Sequence, residues 1–586
     1  MNESKTLDPI TVQVIRNALI SAANEMTETM IQTALNPGLT EMLDFSADLY
    51  NGEGELIAEG KGAVMFMGTV SFGIKNVVAH VGKENINEGD VFVAAYSYFA
   101  GSHHPDVLVF KPIFLDGELF GHAAVKAHWL GITPSFGYGG PFTNMFQEGL
   151  ILPGIKLVKK GVLDQEIVDI IRYNSAFPEI AVGDMTAVLT ACDAGERGLL
   201  ALAEKYGSKT LTAVIETTLD NDERTMRRII ADDIPDGKYY AEGGLDDNGI
   251  GDEPLKVCIT VTVKGDEMTF DTSGSSPQQQ APKNCPYPST VAMCRLIAKM
   301  LFDPHTRATE GHWRPVTVLA PEGSIYNPLP PTPSMLYGWT AAPLGECIFK
   351  ALAEAIPDKV VARSGGDICG TPIIYGTNPR DGRPFMCVAG QGPVGHGASV
   401  DGDGSDAIIH FWMSGSESIP IEIVEEKYPV LIEKWGLRED SGGPGKYRGG
   451  LGVERRVTTL TDTVIGGIVE QSKYPPWGLF GGKSGLANAQ VLWPGTEKED
   501  TSAKFGDVPF KTDEQHDLYT GGGGGWGDPH ERDVDAVLTD VVRGYVGIDS
   551  AREDYGVAIR EEEGEYTLDE AGTKELRGKR AASARN

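Results

Sequence analysis

The spacing of hydrophobic positions divides the chain into helical and strand-like stretches before any single residue needs attention. Ile15, Leu19, Ala22, Met26 and Met30 recur at three- and four-residue intervals and predict an amphipathic helix, with Asp8 as N-cap, Pro9 at its first position and Asn36-Pro37 as its stop. The next segment, MLDFSADLYNGEGELIAEG, alternates with period two and predicts a hairpin turning at Asn51-Gly52. GAVMFMGTVSFGIKNVVAHVG returns to helical spacing, and Gly89 to Trp129 reads as two or three strands. Residues 164–233 are strongly helical. From Lys238 the pattern becomes antiparallel β, with a hairpin at Lys264-Gly265-Asp266, then a helix in STVAMCRLIAKMLF. The proline-rich PEGSIYNPLPPTPSM predicts a linker or an extended crossing. Beyond Leu336 a helix is expected around 345–355, followed by glycine-broken strands that include IPIEIVEEKYPVLIEKW and GVERRVTTLTDTVIGGIVE.

These elements predict an α+β, multi-domain protein with mixed and antiparallel sheets, a helical layer and a β-rich C-terminal part. The expected divisions are an N-terminal α/β part (1–163), a helical segment (164–237), an antiparallel β region with one helix (238–335), a glycine-rich α/β and β part (336–557) and a frayed tail (558–586). Gly521 to Gly525 form a polyglycine run, to be read either as a flexible linker or as backbone able to approach an anion.

Composition narrows the function. A formal net charge of −32 argues against nucleic-acid binding, which needs clustered Lys and Arg. No basic segment followed by an apolar core opens the chain, and no run of about 18 apolar residues is present, so neither a secretory signal nor a membrane span is expected. Seven scattered cysteines without a CxxC pair read as reduced thiols, mostly core, of a cytoplasmic protein. Neither a Walker pattern nor a GxGxxG turn in a βαβ context occurs, so no phosphate loop for ATP is expected.

The candidate chemistry lies in GDVFVAAYSYFAGSHHPDVLVFKPIFLDGELFGHAAVKAHWLG, which holds four of the chain's eleven histidines. His103 and Asp106 stand three apart in the loop GSHHPD, and His128 ends a later apolar run. Two imidazoles and a carboxylate on neighbouring strands can hold a divalent ion with open positions, though histidines at such spacing also serve as core residues. Asp44, on an apolar strand, is either a structural acceptor or part of the same site.

GSHHPD resembles the G-T-H-L-P-D loop of the hydantoinase B/oxoprolinase family. So do, in order, DFSADLYNGEGELIAEG, the AHW segment, DTSGSSPQ, REDSGGPGKYRGGLGVERR, YPPWGLFGGKSG and GGGGGWGDPHERD, together spanning about Asp8 to about Val557. The resemblance implies a subunit that works in a hetero-oligomer with a larger, ATP-binding A-type partner. The partner phosphorylates a substrate carbonyl; the B-type chain consumes the activated species at a divalent-metal site. It implies His103, Asp106 and His128 as ligands of zinc, manganese or iron, with Asp44 a candidate fourth. His104 and Glu148 are candidate proton carriers.

Two places depart from the family. Ala95, Tyr96, Ser97 and Tyr98 stand where it writes N-D-P-Y, and Leu130 to Pro134 where it writes D-I-G-G. With Met65, Met67, Tyr98, Phe99 and Trp129 as expected pocket residues, these changes favour an apolar small-molecule substrate. An unsubstituted lactam such as caprolactam is preferred to hydantoin or oxoproline. ATP-dependent carboxylation of a ketone and a non-catalytic scaffold remain as alternatives.

Overall fold

The computed structural model describes residues 7–133, 138–367, 372–389 and 391–583; Pro134 and Cys369 lie outside them. The first helix, Pro9–Thr33, begins where Asp8 accepts hydrogen bonds from the amides of Ile10 and Thr11. Its apolar stripe is buried and, with helices Pro178–Tyr206 and Ser208–Asp233, covers one face of a seven-stranded sheet. Across that sheet the strands run Leu56–Glu59, Phe45–Asn51, Glu118–His128, Asp106–Leu115, Val91–Ala95, Leu152–Lys159 and Val162–Leu163, every pair antiparallel. Pleating sends Phe45, Ala47 and Leu49, with Val107, Val109, Ala123 and Val125, into the helical layer. The edge hairpin closes through a longer turn than Asn51-Gly52 alone. Asn51 Oδ1 accepts from the amides of Glu53 and Glu55, and the left-handed residue is Gly54.

The opposite face packs against the helix Val64–Val81, which in turn meets the helix Tyr287–Phe302. Val64–Val81 has the length and apolar content of a membrane span, but Phe66, Val70, Ile74 and Val77 are buried in the interior.

A second sheet holds Val316–Leu319, Glu267–Asp271, Leu255–Lys264 and Gly237–Leu245; its first two strands are parallel, so it is mixed. The hairpin at Gly265 is as expected. The helix Tyr337–Leu352, nearly all of it buried, packs on this sheet. The proline-rich segment leading to it is an extended crossing rather than a linker, with Ile325, Tyr326, Ser334 and Met335 buried.

Two further sheets follow, one of Pro384–Val388, Ile373–Thr377, Thr463–Ile468 and Lys504–Phe510, the other of Val430–Leu437, Val453–Thr459, Gln515–Tyr519, Ala489–Leu492 and Asp500–Thr501. One expectation fails in part here. Ile421–Lys427 is a helix rather than a strand: Pro420 precedes it with φ preset for helix entry, and Val424 is its buried residue. Val453–Thr459 and Thr463–Ile468, close neighbours in sequence, belong to different sheets.

The polyglycine run is neither linker nor anion cradle. The amides of Gly522, Gly523, Gly524 and Gly525 donate to the carbonyls of Leu486, Gly450, Arg363 and Lys483, and that of Gly521 to Asn488 Oδ1. A Cβ on Gly523 would stand 1.9 Å from the His396 carbonyl oxygen. Backbone therefore packs on backbone, and every donor of the run is already used. Among the described residues the tail does not fray from residue 558. Ile559–Glu562 and Glu565–Leu568 pair as a hairpin, Glu570–Ser583 is helical, and Tyr566 and Leu568 pack on the cluster of Val537 and Val541. Cys192, Cys258, Cys285, Cys294, Cys347 and Cys387 are buried free thiols.

Candidate metal centre

Asp106 and His128 are direct partners in the register of their two strands, so the pleat sets their side chains together on one face. His103 reaches them from the preceding loop, where the Asp106 amide donates to the His103 carbonyl at 3.1 Å. Lys126, on the same strand as His128 and fully buried, pins the start of that loop: its Nζ donates to the carbonyls of Ala100 at 2.6 Å and Gly101 at 3.3 Å. Burial pushes the Lys126 ammonium down to about 7. Gly101 has φ +71°, and any Cβ there would press on Ser289 Oγ at 2.8 Å, so the loop needs glycine at this point.

Three candidate ligand atoms converge. His103 Nε2 lies 3.1 Å from Asp106 Oδ1 and 3.2 Å from His128 Nδ1, and His128 Nδ1 is 2.8 Å from the same oxygen. His103 Nδ1 is 2.9 Å from the Met335 carbonyl, which can only accept, so Nδ1 carries a proton and Nε2 of the neutral ring is left to offer its lone pair to the other two atoms. One cation has to sit among them, a proton on either imidazole or a metal ion in its place. Bonds of about 2.0–2.2 Å to a single ion give ligand separations close to those seen. Tyr337 Oη donates to the other Asp106 oxygen at 3.1 Å.

Burial alone would raise the Asp106 carboxyl, but the charges and hydrogen bonds of His103 and His128 hold it well below the usual carboxylate range. Burial likewise opposes charge on His128, yet Asp106 and then Asp44 raise its pKa. Asp44 lines the same cavity outside the tight trio. Its Oδ1 is buried without a partner, and burial, partly offset by His128, lifts the carboxyl to about 6. An orphaned carboxylate oxygen beside a lone-pair cluster is what an oxygen- and nitrogen-ligated divalent ion would satisfy.

The cavity above the trio is apolar, as expected, but most of its wall comes from elsewhere. Of the five expected pocket residues only Met65 lines it. Met67 is two positions further along the helix, about 200° around it, and faces a separate cleft beside Asp48 and Glu59. Trp129 follows His128 on the strand and points the other way, into the core under the helical layer. Tyr98 donates to the Thr332 carbonyl and Phe99 packs against Tyr96, both in the short helix Ser97–Ala100 rather than at the cavity. The wall is built instead by Leu130, Tyr138, Tyr337 and Trp339, together with Ile373, Met386, Val388, Met413, Ile419 and Tyr428. Tyr138 stacks on His103 at 6.1 Å, so the glycine-rich segment after His128 does reach the site.

The two candidate proton carriers do not line the cavity. His104 is 1% exposed, neither ring nitrogen has a partner, and burial lowers it to about 4. Glu148 is wholly buried behind the site, its Oε1 accepting from the amides of Ser334, at 2.5 Å, and Met335. Burial raises it to about 8. Glu148 thus fixes the backbone whose carbonyl orients His103.

A hydantoinase B/oxoprolinase family model matches residues 8–529, and the chain belongs to that family. It is 32% identical to the caprolactamase subunit beta of Pseudomonas jessenii over 97% of this chain and 98% of that one. The crystal structure of the ATP-dependent caprolactamase from that organism superposes with TM-score 0.90 at 29% identity, over 98% of this chain and 100% of that one. It is 33% identical to uncharacterized protein MJ0963 of Methanocaldococcus jannaschii over 98% of this chain and 100% of that one. A nucleotide-free acetone carboxylase structure also superposes with TM-score 0.90, at 19% identity over 99% of this chain and 84% of that one, a likeness of fold.

Proposed function

We propose that this chain is the metal-containing B-type subunit of an ATP-dependent hydrolase that opens an apolar lactam after an A-type partner has phosphorylated the ring carbonyl. His103, Asp106 and His128 are the proposed ligands, with Asp44 facing the remaining positions. A divalent ion there supplies Lewis acidity, lowering the pKa of water and stabilising oxyanions. The chain's own residues do the rest. The Met335 carbonyl fixes the His103 tautomer, Tyr337 holds Asp106, and the apolar wall excludes bulk water from the activated carbonyl. Asp44, whose Oδ1 is buried without a partner beside the trio, is placed to hold or release a proton at that atom. In the net reaction two waters are consumed: the oxygen of the first ends on the carbonyl carbon as the ring C–N bond breaks, leaving an amine and an acyl phosphate, and the second hydrolyses that acyl phosphate to carboxylate and inorganic phosphate.

The observation that carries an amide rather than a ketone is Gln391. It lines the cavity, is 1% exposed, and neither its Oε1 nor its Nε2 has a partner. A small lactam ring holds its amide cis, so N–H and C=O face the same side and match a side-chain amide, donor to acceptor and acceptor to donor. Once the oxygen is phosphorylated, Nε2 can donate to the ring nitrogen instead. A ketone offers an acceptor only and leaves Gln391 Oε1 buried and unpaired.

The test is co-expression with an A-type partner and incubation with ATP and either an unsubstituted lactam or a ketone plus bicarbonate. Ring-opened amino acid is expected. Bicarbonate-dependent keto acid would transfer the assignment to ketone carboxylation. The isolated chain is expected to hydrolyse no ATP, and steady ATPase activity in it would overturn the division of labour between subunits.

A further inference from the structure

In a cleft separate from the cavity, Arg363 poses a problem of charge that the proposed reaction does not use. It is 3% exposed, its Nε is buried without a partner, and no hydrogen bond or ion pair reaches its guanidinium among the described residues. A buried guanidinium is tolerated when paired, and here the chain supplies no pair. Its backbone is held firmly. The Arg363 amide donates to the Trp477 carbonyl at 3.1 Å and its carbonyl accepts from Gly524 at 2.7 Å, both within the glycine-rich packing.

The side chain lines an open cleft of ≈ 530 Å³ whose other walls include Lys256, Lys350, Tyr474 and Trp477. Glu242 is the acidic residue of the lining, and Lys256 already pairs with it at 3.0 Å. Lys350 lies 5.7 Å from the Trp477 ring and donates to the Glu242 carbonyl rather than to a carboxylate. Two positive charges, those of Arg363 and Lys350, are therefore left uncompensated in one cleft of a chain whose formal net charge is −32.

We propose that this cleft binds a small oxyanion-bearing ligand, a phosphate or a carboxylate, with the Arg363 guanidinium as its fork and Lys350 as its second charge. The planar guanidinium presents paired N–H donors in the geometry that either group accepts bidentately. Trp477 and Tyr474 give an attached apolar or aromatic body a surface to lie on. The glycine-rich packing sets the cleft: Arg363 is anchored on Gly524 and Trp477, so the cation is preorganised before any ligand arrives.

Calorimetric titration of the full chain at low ionic strength tests this, with inorganic phosphate, a nucleoside monophosphate and an aliphatic monocarboxylate in parallel. Saturable binding of at least one is expected. Phosphate binding without carboxylate binding, or the reverse, identifies the source, and tighter binding of the nucleotide assigns the aromatic wall a role. Arg363→Gln is expected to weaken binding by about tenfold or more, the size of a lost charge-assisted contact. Lys350→Gln, at an exposed position and safe for folding, should weaken it by a smaller factor. Binding should survive His103→Ala, which separates this cleft from the metal centre. Absence of saturable binding of all three probes overturns the proposal, and so does binding that Lys350→Gln and Arg363→Gln leave unchanged.

Discussion

The floor and the walls of the main cavity were built in different ways. The floor is local: His103, Asp106 and His128 lie within 26 residues on a loop and two adjacent strands, and one register pair brings two of them together. The walls are not. Tyr337 and Trp339 come from the start of a buried helix, Ile373, Met386 and Val388 from a sheet in the C-terminal part, and Gln391 from three residues beyond one of its strands. The proposed chemistry rests on short-range geometry that a strand pair enforces, whereas the proposed recognition rests on how distant layers meet.

The sharpest way to break that comparison is at the floor. Asp106→Asn should lower both bound divalent metal and turnover by roughly a hundredfold or more, since it removes the anionic member of the trio. Metal analysis that still finds one ion per chain would strike Asp106 from the ligands. Next comes the wall. Gln391→Leu should cut kcat/KM for a lactam by about tenfold to a hundredfold, the cost of an unmatched amide. Metal content should stay intact, and equal loss of metal would show that floor and wall are not separable.

A smaller effect is expected behind the site. The Glu148 carboxyl is raised from 4.5 to about 8, so the folded state prefers it protonated. Its contribution to stability is full below about pH 4.5 and is lost as pH rises through about 8, on the order of a few kcal/mol. Denaturant unfolding across that range should show the slope, and Glu148→Gln should flatten it. An unchanged slope in the variant would assign the titration to another group. The smallest effect is at His104→Leu, which should leave metal content and turnover within about twofold, because that ring meets neither cavity nor partner.

The failures of the sequence reading have the same origin as the comparison. His103 and His104 are adjacent and chemically identical, and only the loop's direction, set by Lys126 beneath it and Gly101 within it, sends one to the metal trio and the other into the core. Met65 and Met67 looked equivalent until helical geometry separated them. Trp129 was legible as a mistake in principle: the residue next to one that faces the cavity side of a sheet is sent to the sheet's other side, here the core under the helical layer. Gln391 carried no local signal, for a lone glutamine among glycines announces nothing about a pocket assembled from segments far apart in the chain. The polyglycine run misled in the same way. Its sequence advertises freedom, but neighbouring backbones at van der Waals distance remove it.

By itself, the sequence determined the periodicities that make strands and helices, the GSHHPD loop and the histidine that closes VKAH. Those follow from local sterics and alternation, which act over a few residues. Tertiary structure alone decided which flanking residues face the cavity, which carboxylates stand beside the trio and which stand behind it, and that Arg363 is left without a counter-charge. These depend on desolvation and on contacts between segments hundreds of residues apart, and no local pattern encodes where a chain will meet itself.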